Sequence, residues 1–193
     1  LQVHPSQAQA AEGYALEEEA GIALDHPARN YKDTNHKPEM VLALTRFQAV
    51  AGFRAPRRAV EVLAGLDSIL ARRMRRTLRL NPTRYGIRQV FSDVVSAATR
   101  PSPEEIDELV AEISVRFEAG MSPSLRVDSN VLKMAGTFAG DPGIAAALLL
   151  NPVTLQPGEA LFVPAGSVHA YISGLGVEVM ASSDNVLRAG LTP

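Results

Sequence analysis

The 193-residue sequence contains no cysteine and no tryptophan, and it has only four histidines. The first absence removes disulfides, thiolate metal ligands and a cysteine nucleophile together. It favours a cytoplasmic protein, and it means that any metal site must be built from imidazole, carboxylate and amide donors. No apolar run approaches the roughly 18 residues that would read as a membrane span. The opening Leu1-Gln2-Val3-His4-Pro5 does not read as a basic-then-apolar leader. Nor is there an excess of charge of either sign. With 19 Lys and Arg against 21 Asp and Glu the net charge is -2, which argues against nucleic acid or a membrane surface as partner. An initiating Met is missing too, and the chain stops at Thr192-Pro193 without a closing element. These ends lead to the expectation of a piece cut from a longer polypeptide.

What is present is an ordinary globular composition, 46% hydrophobic and 21% charged, sufficient for a core. Residues 1–4 alternate as a strand does, so Gln2 and His4 share a face. Ser6 is placed as the N-cap of a helix that Gly21 ends. A polar loop, 25–38, leads into an apolar run, 40–45, that reads as a buried strand. From about 57 to 138 the pattern is helical. Val60, Leu63, Ala64 and Leu70 fall near helical spacing, and Arg72, Arg73, Arg75 and Arg76 lie on the other face. Ser102-Pro103-Glu104-Glu105 is a capping box, and the helix it opens stripes Ile106, Leu109, Val110 and Ile113. The C-terminal part returns to strands, punctuated by Gly158, Gly166 and Gly174 at eight-residue intervals, as in a small antiparallel barrel or sandwich. The simplest architecture is mixed α+β. Residues 1–50 form the first part of a β-barrel with one helix, 51–138 a helical insertion, and 139–193 the remainder of the barrel.

Among the histidines, His4 is sharpened by Gln2 on the same strand face, and His169 by the preceding Pro-Ala-Gly-Ser-Val turn. Tyr171 shares the face of His169 by the period-two rule. Glu39 sits where a loop meets an apolar strand, a position from which a carboxylate enters a barrel mouth. Gln2, His4, Glu39 and His169 make a zinc set of imidazole nitrogens and oxygen donors, although no HxxxH or HExxH unit ties them together. His26 and His36 fit no ligand position and are expected to be exposed. Bland readings stand beside these: Lys37 with Glu39 as a solvated loop pair, Arg188 as a partner for turn carbonyls, and the arginine cluster as a solvated face. Glu178, between Val177 and Val179, belongs to the polar face of its strand, which is either solvent or cavity.

Four segments, QVHP, NYKDTNHKPEM, PGEALFVPAGSVHAYISG and VEVMASSDNVLRAGLTP, are similar, in order, to the signature segments of type I mannose-6-phosphate isomerases. PAGSVHAY also looks like the metal-binding strand pair of the wider cupin superfamily. The resemblance covers essentially the whole chain, the helical middle matching in character more than in letter. It implies a cupin-like antiparallel β-barrel (jelly roll) interrupted by an all-helical insertion. It also implies one Zn2+ per chain on Gln2, His4, Glu39 and His169, with Lys37, Tyr171, Glu178 and Arg188 in the active site. The implied activity interconverts mannose 6-phosphate and fructose 6-phosphate through an enediol, with a small-molecule sugar phosphate as partner and entry into GDP-mannose metabolism. Arg188 is then available to stabilise the enediolate or bind phosphate, because its guanidinium stays charged. Lys37, Glu178 and Tyr171 are the acid/base candidates, and the choice among them stays open.

Members of that family begin before the QVHP strand and carry a second, C-terminal barrel, so N-terminal strands and that barrel are expected outside this sequence. The competing functions are a non-catalytic cupin-like module that binds a sugar or a metal, and an inactive fragment of the enzyme. Intact Lys37, Glu178 and Arg188 favour the enzyme. A monomer is the default oligomeric state.

Overall fold

The computed structural model describes residues 1–192; Pro193, the last residue of the predicted third segment, lies outside the described residues. In chain order the elements are β1 (Gln2–Val3), α1 (Gln7–Glu19), β2 (Glu39–Ala43), β3 (Phe47–Phe53), α2 (Pro56–Val62), α3 (Ile69–Leu80), α4 (Arg84–Val95), α5 (Pro103–Glu118), α6 (Leu125–Thr137) and α7 (Gly143–Ala147). Then follow β4 (Leu150–Leu155), β5 (Ala160–Val163), β6 (His169–Ser173), β7 (Gly176–Met180) and β8 (Leu187–Arg188). The residues fall into two units: Gln2–Ala51 with Val153–Arg188, and Gly52–Pro152 with Leu1 and 189–192.

The first unit holds a five-stranded sheet, in the order β4-β3-β6-β1-β8, and a three-stranded sheet, in the order β5-β2-β7. Their registered pairs are antiparallel. Val41 and Ala43 of β2 pack with Phe47 and Ala49 of β3 and with Leu155 of β4, and Tyr171 closes on this cluster. Burying each of the larger members contributes roughly 1.5–3 kcal/mol. A closed barrel would pair every edge strand. Among the described residues β4, β8, β5 and β7 each keep one unpaired edge, so the predicted barrel is observed as two sheets.

The run at 40–45 is half-buried rather than buried. Glu39, Val41 and Ala43 point inward, whereas Met40 and Leu42 are 46% and 40% exposed. Val177 and Val179 beside them are also exposed, and Glu178 takes the inner side opposite Val41. Ser6 caps α1 in a reciprocal box with Gln9, as its position predicts, and Gly21 follows with a φ of +67°. Gly174 turns β6 into β7 at φ +118°; a Cβ there would meet the Arg46 carbonyl oxygen at 2.7 Å, so only glycine fits.

The second unit is helical. Leu63, Leu66, Leu70, Ile106, Leu109 and Ile113 are fully buried, and Ser102 and Glu105 close the predicted capping box on α5. The first helical stretch is divided in two by Gly65 at φ +75°, and Ala64 is exposed rather than on the core stripe. Arg72, Arg73 and Arg76 are solvated as read, but Arg75 is half-buried and donates to the Leu63 and Leu66 carbonyls at 3.0 Å each. Arg116 forks onto Asp128, Nε to Oδ2 2.8 Å and Nη2 to Oδ1 2.6 Å, and its Nη1 donates to the carbonyls of Val62 and Ala64. The unit runs past residue 138: α7 packs on α4, α5 and α6, and Leu148 to Leu150 after it are fully buried. Its two ends are clipped side by side: Arg54 N donates to Leu149 O at 2.9 Å and Asn151 Nδ2 to Gly52 O at 3.1 Å. No helix among the described residues is long and apolar enough to cross a membrane.

Candidate metal centre

Strand register assembles the site. Gln2 of β1 lies directly opposite His169 of β6 on one side and Arg188 of β8 on the other. Directly opposed residues of antiparallel strands share a face, so these three side chains stand in one row, and His4 follows Gln2 on that face. Glu39 reaches them from the first residue of β2, in the other sheet. His4, Glu39 and His169 are all buried, and each offers a ligand atom within 4.8 Å of the others.

Hydrogen bonds orient both rings. His4 Nδ1 lies 2.7 Å from the carbonyl oxygen of Asn185, and His169 Nδ1 lies 3.0 Å from that of Ser167. A carbonyl oxygen only accepts, so both Nδ1 atoms carry hydrogen and both Nε2 atoms turn toward Glu39. His169 Nε2 is 3.0 Å from Glu39 Oε2, and His4 Nε2 is 3.0 Å from Oε1. The second approach is off the line of a hydrogen bond and leaves His4 Nε2 without a partner. A lone pair facing a carboxylate oxygen at that distance is repulsive unless a cation, a proton or a metal ion, stands between them. The Gln2 amide reaches the same point, Nε2 to His169 Nε2 3.1 Å, and a half-turn of that amide offers its oxygen instead. Two imidazoles, a carboxylate and an amide oxygen suit a divalent metal of intermediate softness.

The electrostatics agree. Burial raises the Glu39 carboxyl, but its close contacts with His169 and His4 outweigh it and hold the group at about 2. Glu39 is therefore charged at any working pH. Lys37 Nζ lies 3.7 Å from Glu39 Oε1 and is 14% exposed, so the pair is neither solvated nor remote from the histidines. The Tyr171 ring stands beside His169, and its hydroxyl reaches Glu178 on β7. Burial, followed by the hydrogen bond to Glu178 and that group's charge, pushes the Tyr171 phenol well above its ordinary value. Arg188 is exposed at the end of the row, and among the described residues no carboxylate holds it. His26 and His36 are exposed.

Sequence reading passed over Asn185, which is fully buried and whose backbone carbonyl fixes the His4 ring. Its place inside SDNVLRAG was the available signal.

Residues 1–56 match the family model of the phosphomannose isomerase type I catalytic domain. A curated mannose-6-phosphate isomerase of Salmonella typhimurium is 39% identical over 196 residues, covering 100% of this chain and 47% of the relative. That of Homo sapiens is 35% identical over 174 residues, covering 86% of this chain and 41% of the relative. Among solved structures, the apo form of mannose 6-phosphate isomerase from Salmonella typhimurium matches with a TM-score of 0.84 at 36% identity, over 100% of this chain and 47% of that one. A zinc-bound mannose 6-phosphate isomerase matches at 0.80 and 37%, with the same coverage. The chain thus resembles type I mannose-6-phosphate isomerases along its whole length, and it spans about half the length of the curated relatives it matches.

Proposed function

We propose that this chain, similar from end to end to type I mannose-6-phosphate isomerases, carries the zinc-binding part of an enzyme that interconverts mannose 6-phosphate and fructose 6-phosphate. The observation that carries the reading is the convergence of His4, Glu39 and His169 on one buried point, with Gln2 beside them. Gln2, His4, Glu39 and His169 would hold one zinc ion, which when bound polarises the sugar's carbonyl and hydroxyl oxygens.

The remaining chemistry falls to side chains. A base removes the proton on C2. The electron pair left behind forms the C1=C2 bond while the C1=O π pair moves to O1, which takes up a proton to give the enediol. Return of a proton to C1, with loss of the O2 proton as C2=O forms, gives the ketose. Tyr171, held protonated, serves as a hydrogen-bond donor rather than as the base. That leaves Lys37 and Glu178 as candidates for proton transfer. Arg188, on the face of Gln2 and His169, supplies the fixed positive charge for the enediolate or the phosphate.

The two antiparallel sheets, in Gln2–Ala51 and Val153–Arg188, are read as the walls of a cupin-like jelly roll, with the helical unit between these segments as its insertion. The reading places the protein in the cytoplasm, as a monomer, in carbohydrate metabolism that feeds GDP-mannose. The test is a coupled assay from mannose 6-phosphate on zinc-loaded and chelator-stripped protein. Activity lost with the metal and restored by zinc is expected. A folded, zinc-binding protein with no turnover, in this chain and in any longer polypeptide containing it, would leave a binding module instead.

A further inference from the structure

We infer that Asn185 is a positioning residue for the metal centre, its side chain fastening the loop that delivers Lys37 and Glu39 while its backbone carbonyl sets the tautomer of His4. The inference rests on the metal reading above.

Every hydrogen-bonding capacity of the Asn185 amide is used, and each partner but one is backbone of residues 32–35. Its Oδ1 accepts from Lys32 N at 2.7 Å and from Asp33 N at 3.1 Å. Its Nδ2 donates to Asp33 O at 2.8 Å and Asn35 O at 2.9 Å, with Asp33 Oδ1 at 3.2 Å. Two N–H donors on one side and two carbonyls on the other settle which amide atom is which. No other side chain of this size offers two acceptor sites and two donors: aspartate lacks the donors and leucine has neither. The residue is fully buried, so an unmade bond there is not repaired by water.

The same residue's carbonyl oxygen takes the His4 Nδ1 hydrogen at 2.7 Å. Neighbouring bonds stiffen the link, from Asp184 N to Asp33 Oδ2 at 2.9 Å and from Ala181 N to Pro38 O at 3.1 Å. A loop otherwise free to drift is thereby locked to the ring whose Nε2 must face Glu39. One residue orients His4, just after β1, and the approach to a ligand on β2. Metal binding and loop order are then coupled, and the coupling runs both ways.

The unaltered protein decides the matter first. Amide hydrogen exchange at Lys32 and Asp33, followed by NMR with zinc and with chelator, should slow about tenfold or more when zinc is present. Zinc binding with unchanged exchange at these two amides overturns the inference and leaves the metal reading standing. No zinc binding at all overturns both. In Asn185→Ala and Asn185→Asp, zinc affinity by competition with a chromophoric chelator should fall about 10–100-fold, and the cobalt-substituted absorption spectrum should shift. A purely structural role would lower the unfolding temperature while leaving affinity and spectrum at parental values, and that result also overturns the inference. Should either variant fail to fold, the exchange measurement stands alone.

Discussion

The Tyr171 hydroxyl donates to Glu178 Oε1 at 2.6 Å while the same ring lies 5.7 Å, centroid to centroid, from that of His169. The phenol couples a carboxylate on one sheet to a candidate ligand on the other. It also packs edge-on to Phe47 at 5.3 Å, which fixes its plane from the core side.

Tyr171→Phe removes the hydroxyl and leaves the packing. The half-buried Glu178 loses its donor, at a cost of about 1–2 kcal/mol. Turnover should fall while zinc affinity stays near the parental value. Denaturant unfolding, steady-state kinetics and chelator competition on the one variant check all three.

Glu39→Gln keeps the shape of the side chain and removes its charge. Two imidazoles and two neutral amides hold a divalent cation far less well, so zinc affinity should drop by more than about 100-fold. Dialysis followed by metal analysis reads this directly, and retention of one equivalent would exclude Glu39 as a ligand.

Acid should expose the same carboxylate. The Glu39 carboxyl is held at about 2 in the folded chain, below its ordinary value of 4.5. A depressed carboxyl stabilises the fold above the unfolded-state value, and that contribution is lost as pH falls through the folded one. Metal-free protein should therefore lose stability between roughly pH 4.5 and 2. In Glu39→Gln the decline across that window should be shallower, as measured by urea unfolding at a series of pH values.

In the helical unit the buried pair Arg116–Asp128 sets a different test. Removing one partner strands the other charge, so Asp128→Ala should cost about 3–5 kcal/mol. Replacing both together, Arg116→Met with Asp128→Leu, should cost less than the single change. Chemical denaturation of Asp128→Ala, of Arg116→Met and of the double variant compares them, and a double loss equal to the sum of the two single losses would show that the pair is not coupled.

Much of this was legible in the residues, for reasons that can be named. Ser6 and Ser102 announce helix starts because their caps are satisfied within three residues. Gln2 and His4 share a face by strand geometry alone. Which face of a strand is inside is another matter. Alternation separates Glu178 from Val177 and Val179, yet the valines are the exposed pair and the carboxylate faces inward, because Tyr171 waits there to receive it. The Arg116–Asp128 fork and the Asn185 amide were missed for a related reason. Both satisfy backbone groups far away in sequence, and no local pattern reports which carbonyl lacks a partner.

The clip between Arg54 and Leu149, repeated by Asn151 and Gly52, makes the helical unit a loop whose ends are already closed. Every candidate ligand lies outside that loop, in Gln2–Ala51 or Val153–Arg188. Closing a longer loop adds entropy cost only with the logarithm of its length. The segment from 55 to 148 is therefore free to gain, lose or exchange helices over evolutionary time without re-aiming Gln2, His4, Glu39 or His169. Divergence among homologues should accumulate there, and the two flanks should change slowly.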